Sequence, residues 1–206
     1  MQTIVGFLSR AHGYNVLTNL GKMNEFKFLK IYTHKYNPKS QDPNKGVRDD
    51  YELFVNECKK LSIPLVPIDS KSIEITNCPE CDYIVEISWR YIIPSKIVKK
   101  SRIGTFGVHR GKLPDYAGSE PIKQALKNNE RKIILSAHKL EPKIDSGNVI
   151  TTSVYDLKDN FNQKTPEKQI QEIKKCQVNF IRKFLQNSIE LFFLIPLRLV
   201  GTAWSQ

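Results

Sequence analysis

Apolar positions along the chain fall into two kinds of run. Short continuous runs, four to eight residues long, are what buried strands require. Between them lie stretches where apolar residues recur every three or four positions, the spacing of one helix face. The first kind predicts strands over residues 3–8, 28–33, 83–88, 103–109, 132–140 and 149–157, with a short extended piece over 63–67. The second predicts a helix from Val16 onward, and another after Asp49 and Asp50 that carries Leu53, Phe54, Val55, Cys58 and Leu61. A short helix with Pro94 in its first turn, one over 120–128, and a long one from Thr165-Pro166 to about Phe193 follow. Residues 9–15 read as a polar loop after the first strand. Residues 36–48, with Pro38, Ser40, Pro43 and Gly46, read as a surface loop.

Strands that alternate with helices predict a mostly parallel α/β sheet with helices on both faces. The last strand is expected at the sheet edge. No repeat or linker interrupts the pattern, so one domain over 1–206 is expected, closed by a helical segment at 165–195. In such sheets ligands lie beyond the carboxyl ends of strands.

Composition narrows the partners. Lysine and arginine number 32 against 21 acids, a formal charge of +11, which favours anionic ligands or simply keeps the protein in solution. Between Lys96 and Lys112 stand six basic residues (Lys96, Lys99, Lys100, Arg102, Arg110 and Lys112) and no acid. They read as a solvated face or as the seat of an anionic group. The apolar stretch at 191–200 is broken by Pro196 and Arg198 and is too short for a bilayer, which takes about 20 residues. Without a signal-like start, the expectation is a cytoplasmic protein away from membranes. Cys78-Pro-Glu-Cys81 has metal-ligand spacing, but no second pair accompanies it, so ordinary thiols and no metal are expected.

Three segments carry candidate chemistry. One runs from Gly107-Val-His109 at a strand end through Arg110-Gly-Lys-Leu-Pro114 to Gly118. The second is Leu135-Ser-Ala-His138, and the third is Ile144-Asp-Ser-Gly147 on a turn before a strand. Singly, a histidine at a strand end or an Asp-Ser-Gly turn is usually structural. Their order and spacing resemble the folate-dependent formyltransferase family. That family reads Asn-x-His-Pro-Ser-Leu-Leu-Pro with a later Gly, then a Val-Thr-x-His strand, then Ile-Asp-x-Gly. Tyr91-Ile-Ile-Pro94 is similar to the Ile-Leu-Pro stretch after the family's fourth strand. The match covers about residues 82–155, and the first 70 residues agree only in layout.

The resemblance implies a Rossmann-like fold and transfer of a formyl group from N10-formyltetrahydrofolate to a primary amine. It gives His109 the oxyanion or proton-shuttle role, with Asp145 orienting it and handling the amine proton. It implies a folate slot between Trp89, Tyr91, Ile92, Ile93 and the strand residues Leu135, Ala137 and His138. For the acceptor it points to Gly13 and Asn15, echoes of a phosphate-holding loop, and to Arg110 and Gly118. The acceptor is expected to be a small, anionic amine. Nucleic acid is disfavoured, and self-association is left open.

One departure stands out. Gly107 occupies the place of the family asparagine, whose amide donates to the formyl oxygen. Losing one such donor typically costs about 2.7–4 kcal/mol, or roughly 100- to 1000-fold in rate. Three readings follow: Arg110, His138 or water fills the gap; the chemistry differs (deformylation or transfer of another one-carbon unit, for instance); or the protein binds without turnover. Among acceptors, amino sugars fit the wording at 111–118, and phosphoribosylglycinamide is the alternative.

Overall fold

A computed structural model describes residues 1–157, one compact unit. The long helix expected over 165–193 lies outside the described residues. Seven strands form one sheet in the order β3-β2-β1-β4-β5-β6-β7. They are β1 (Gln2–Leu8), β2 (Phe26–Thr33), β3 (Leu65–Pro67), β4 (Cys81–Ile87), β5 (Ser101–His109), β6 (Lys132–Lys139) and β7 (Val149–Asp156). The first five are parallel, and β6 and β7 complete the sheet as an antiparallel hairpin. Four helices connect them: α1 (Arg10–Leu20), α2 (Tyr51–Lys60), α3 (Ser95–Val98) and α4 (Pro121–Lys127).

Every expected strand is present, and β7 is indeed the edge. The strand order reverses direction between β1 and β4, which opens a crevice beyond their carboxyl ends. β1 is apolar on both faces because both are covered: Val5, Phe7 and Leu8 have no exposure. Phe7 stacks on Tyr32 of β2 at 4.7 Å and 15°. Burying side chains of this size stabilises by about 1.5–3 kcal/mol each. Pro67 can end β3 because β3 is an edge strand.

Two expectations need correction. Residues 9–15 are not a loop. Helix α1 begins at Arg10, directly after Ser9 as N-cap, and Gly13 donates its N–H to the Ser9 carbonyl at 3.0 Å. A Cβ on Gly13 would stand 2.9 Å from the Leu8 carbonyl carbon. The glycine therefore lets the helix lie close on β1, which composition alone disguised as a loop signal. Pro94 is the N-cap of α3 rather than a residue of its first turn.

Candidate active site

The site gathers at the carboxyl ends of β4 and β5 and on the loop joining β6 to β7. His109 is the last residue of β5 and Asp145 lies in that loop. Asp145 Oδ2 is 3.2 Å from His109 Nδ1 and accepts the Gly118 N–H at 2.9 Å. Its other oxygen, Oδ1, is 3.6 Å from His138 Nε2. The carboxylate thus stands between two histidines, and Gly118 holds it rather than facing a ligand by itself. His109 Nε2 is 2.6 Å from the Tyr116 carbonyl. Both ring nitrogens of His109 therefore face acceptors.

His138 has Nδ1 at 2.9 Å from the Lys139 carbonyl, so this N–H donates there and Nε2 keeps a lone pair towards Asp145. Burial pushes the His138 pKa down, against the opposing pull of that carbonyl and of Asp145.

A cavity of about 510 Å³, within the usual size of small-molecule sites, adjoins His138 and Asp145, while His109 stands behind Asp145 and is not in its lining. Trp89, Tyr91, Ile92 and Ile93 line one side, with His138 and Asp145 on the other. Two expected folate residues are elsewhere. Leu135 and Ala137 are core residues, 0% and 2% exposed, and do not line the cavity. Ala137 sits one position from His138 on β6, and strand side chains alternate between faces, so the two point oppositely. Gly13 and Asn15, within α1, are also absent from the lining; the Asn15 carbonyl accepts from Thr18 and Asn19 of its own helix.

Three features were missed in the sequence. His34 stacks on Trp89 at 4.0 Å and 21°. Its Nδ1 is 2.5 Å from the Ile68 carbonyl, and its Nε2 accepts the Arg90 N–H at 3.2 Å. That fixes a neutral ring, and burial, aided by Arg90, pushes its pKa down to about 3. Trp89 also meets Phe7 edge-on at 5.1 Å. The aromatic wall is therefore rigidly backed.

The second is an arginine group. Arg48 is 3% exposed, reaches the Ser9 hydroxyl, and pairs through Nε with Asp50 at 3.0 Å. Burial, opposed by Asp50 and helped by Arg10 and Arg90, lowers its pKa to about 10. Arg110 is depressed by burial and by Arg10. Positive charge from four separate segments thus collects near the switch point. The basic run at 96–112, by contrast, is largely paired: Lys96 with Glu74, Arg102 with Asp82 at 2.9 Å, Lys112 with Asp115 at 2.7 Å.

The third is Glu86, the acid within the apolar run Tyr83–Ile87 of β4, which pairs with Gly107 across the sheet. Its Oε1 accepts the Trp89 N–H at 2.7 Å. A Cβ on Gly107 would stand 2.6 Å from its Oε2, 3.0 Å from Leu140 Cδ2 and 3.4 Å from His138 Nε2. The space left by the missing side chain is thus filled by Glu86, which also lines the cavity. Burial raises its pKa to about 7, with Asp145 adding to the rise and the Trp89 N–H and Arg110 opposing it.

Cys58, Cys78 and Cys81 are buried free thiols, and burial raises the pKa of each. Among the described residues no group of three His, Cys, Asp or Glu converges as a metal site, and no helix is long and apolar enough to cross a membrane.

The fold is thus a mostly parallel α/β sheet with a His-Asp pair at its carboxyl edge. Residues 59–181 match the formyl transferase family. The chain is 26% identical over 190 residues to a methionyl-tRNA formyltransferase of Mesoplasma florum, covering 88% of this chain and 60% of that protein. It is 28% identical over 123 residues to the methionyl-tRNA formyltransferase of Staphylococcus aureus, covering 60% of this chain and 38% of that protein. It therefore spans only part of these relatives' length. A phosphoribosylglycinamide formyltransferase structure from Streptococcus pneumoniae superposes with a TM-score of 0.62 at 16% identity, covering 91% of this chain and 98% of that one. A formyltetrahydrofolate deformylase structure from Pseudomonas syringae gives 0.67 at 12% identity, covering 91% and 60%. The chain belongs to the formyl transferase family.

Proposed function

We propose that this protein transfers a formyl group from N10-formyltetrahydrofolate to the primary amine of a small anionic acceptor. The observation that carries the reading is Asp145, set between His109 and His138 at the wall of an aromatic-lined cavity. The wall formed by Trp89, Tyr91 and Ile93 suits a flat heteroaromatic ring, and Lys71 and Lys143 on the same lining suit a carboxylated tail. Asp145 receives a proton as the amine attacks, because its carboxylate faces both histidines and lines the cavity. His109 holds that carboxylate in place through Nδ1 at 3.2 Å. The acceptor's anionic group is drawn by Arg10, Arg90 and Arg110, whose mutual repulsion an anion relieves. An amino sugar carrying phosphate has this chemistry, and so does phosphoribosylglycinamide.

The test is a calorimetric titration with a stable formyl-folate analogue, followed by a panel of anionic amines with 10-formyltetrahydrofolate. Binding that Trp89→Ala weakens at least tenfold, with turnover on one amine class, supports the reading. Absence of folate binding removes it. Binding without turnover on any amine, but with release of formate, converts it to deformylation by water.

A further inference from the structure

A formyl transfer passes charge to the formyl oxygen, and that oxygen needs a donor. His138 Nε2 offers a lone pair, and both His109 nitrogens are occupied. Position 107 has no side chain. Glu86 fills its place, with Oε1 anchored by the Trp89 N–H at 2.7 Å and Oε2 directed to the spot beside Gly107 and His138. We propose that Glu86 is a catalytic residue whose carboxyl O–H donates from Oε2 to the formyl oxygen of the bound cosubstrate. The inference deepens the formyl-transfer reading and rests on it.

The step balances as follows. The acceptor's nitrogen lone pair forms a bond to the formyl carbon, and the C=O π pair moves onto oxygen. Glu86 keeps its proton and shares it with that oxyanion. Asp145 takes one proton from the attacking nitrogen. The oxyanion pair then re-forms C=O, the bond from carbon to N10 breaks, and N10 receives the proton. The products are the formamide and the N10–H folate.

A carboxyl can serve only while protonated, and its surroundings favour the protonated form below about pH 7. Burial in the wall, helped by Asp145 from the hairpin loop and opposed by the Trp89 N–H and by Arg110 from the end of β5, raises its pKa to about 7. His138 from β6 is its neutral neighbour. A carboxylic acid kept neutral by its setting is an effective oxyanion donor.

The experiment uses a non-transferable analogue, 10-formyl-5,8-dideazafolate, carrying ¹³C at the formyl carbon. Difference infrared spectra of the full chain report the hydrogen bond directly, without an acceptor. In the unaltered protein the ¹³C=O band lies below that of free analogue, and the shift fades as pH rises through about 7. Glu86→Leu returns the band to the free position. Glu86→Gln keeps an N–H donor, retains most of the shift, and loses the pH dependence, so a Leu variant that misfolds leaves the test intact. With a turned-over amine, Glu86→Leu lowers kcat about 100- to 1000-fold with little change in analogue Kd. An analogue that binds with the same band in all three proteins overturns the proposal and leaves the formyl-transfer reading standing. An analogue that fails to bind overturns both.

Discussion

Asp145 Oδ2 lies 3.2 Å from His109 Nδ1, while the same oxygen takes the Gly118 N–H at 2.9 Å. The carboxylate is thereby oriented by one imidazole and one backbone partner, from opposite ends of the 109–118 segment. Asp145 has φ 52, a left-handed conformation that aspartate tolerates better than most residues. Backbone and side chain together aim its second oxygen at His138.

Replacing Asp145 with Asn preserves shape but removes the proton acceptor. The expected result is a 10²- to 10⁴-fold fall in formyl consumption, roughly the contribution of one positioned acid–base group. Binding of the formyl-folate analogue should change only a few fold. Single-turnover assays beside calorimetry check this.

Gly107→Asn does not simply restore a donor. The new Cβ meets Glu86 Oε2 at 2.6 Å and Leu140 Cδ2 at 3.0 Å. Overpacking of this kind costs about 1–3 kcal/mol. Urea unfolding should show that loss, and the double variant with Glu86→Ala should recover most of it. A single variant as stable as the parent would mean that Glu86 leaves its place without cost.

The pH dependence of stability separates two buried groups with opposite signs. His34 has its folded pKa lowered from 6.5 to about 3, so its contribution is full above 6.5 and is lost as pH falls. Glu86 has its folded pKa raised from 4.5 to about 7, so its contribution is full below 4.5 and is lost as pH rises. Between 4.5 and 6.5 the two slopes oppose each other. Relative to the parent, His34→Gln should make unfolding free energy fall with pH by about 1.4 kcal/mol per unit, and Glu86→Leu should make it rise by a similar amount. Urea titrations across that window measure both.

Arg48→Ala strips a buried cation from Asp50 and from the N-cap serine of α1. Breaking a buried pair on one side costs about 3 kcal/mol or more. Denaturant midpoints will show the loss, and hydrogen exchange should place it at the start of α1.

Much of this was legible in the chain. The strands announced themselves as apolar runs, and the His109 and Asp145 segments were recognisable by order and spacing. The helix at Arg10 was not, because Gly13 serves a close approach to Leu8 that only the packed structure reveals. Leu135 and Ala137 were placed in the slot when the two-residue period of a strand assigns them to the face opposite His138. Glu86 carried a readable signal, a single acid inside Tyr83-Ile-Val-Glu-Ile87. Its meaning came only with the register that sets it beside Gly107. The charges at 96–112 looked uncompensated because Glu74 and Asp82 are distant in sequence and close in space.

The switch in strand order also bears on how the chain is made. β1 is paired with β2 on one side and β4 on the other, Ile4 opposite Tyr83. A ribosome adding about 5–20 residues per second needs roughly 4–16 s to reach the second partner after finishing the first strand. Through that interval a strand apolar from Ile4 to Leu8 has one open edge, the kind of edge that templates mispairing. Newly made chains of this protein are therefore most exposed to aggregation before β4 emerges, and a chaperone that shields the N-terminal third should protect them more than one acting on the finished sheet.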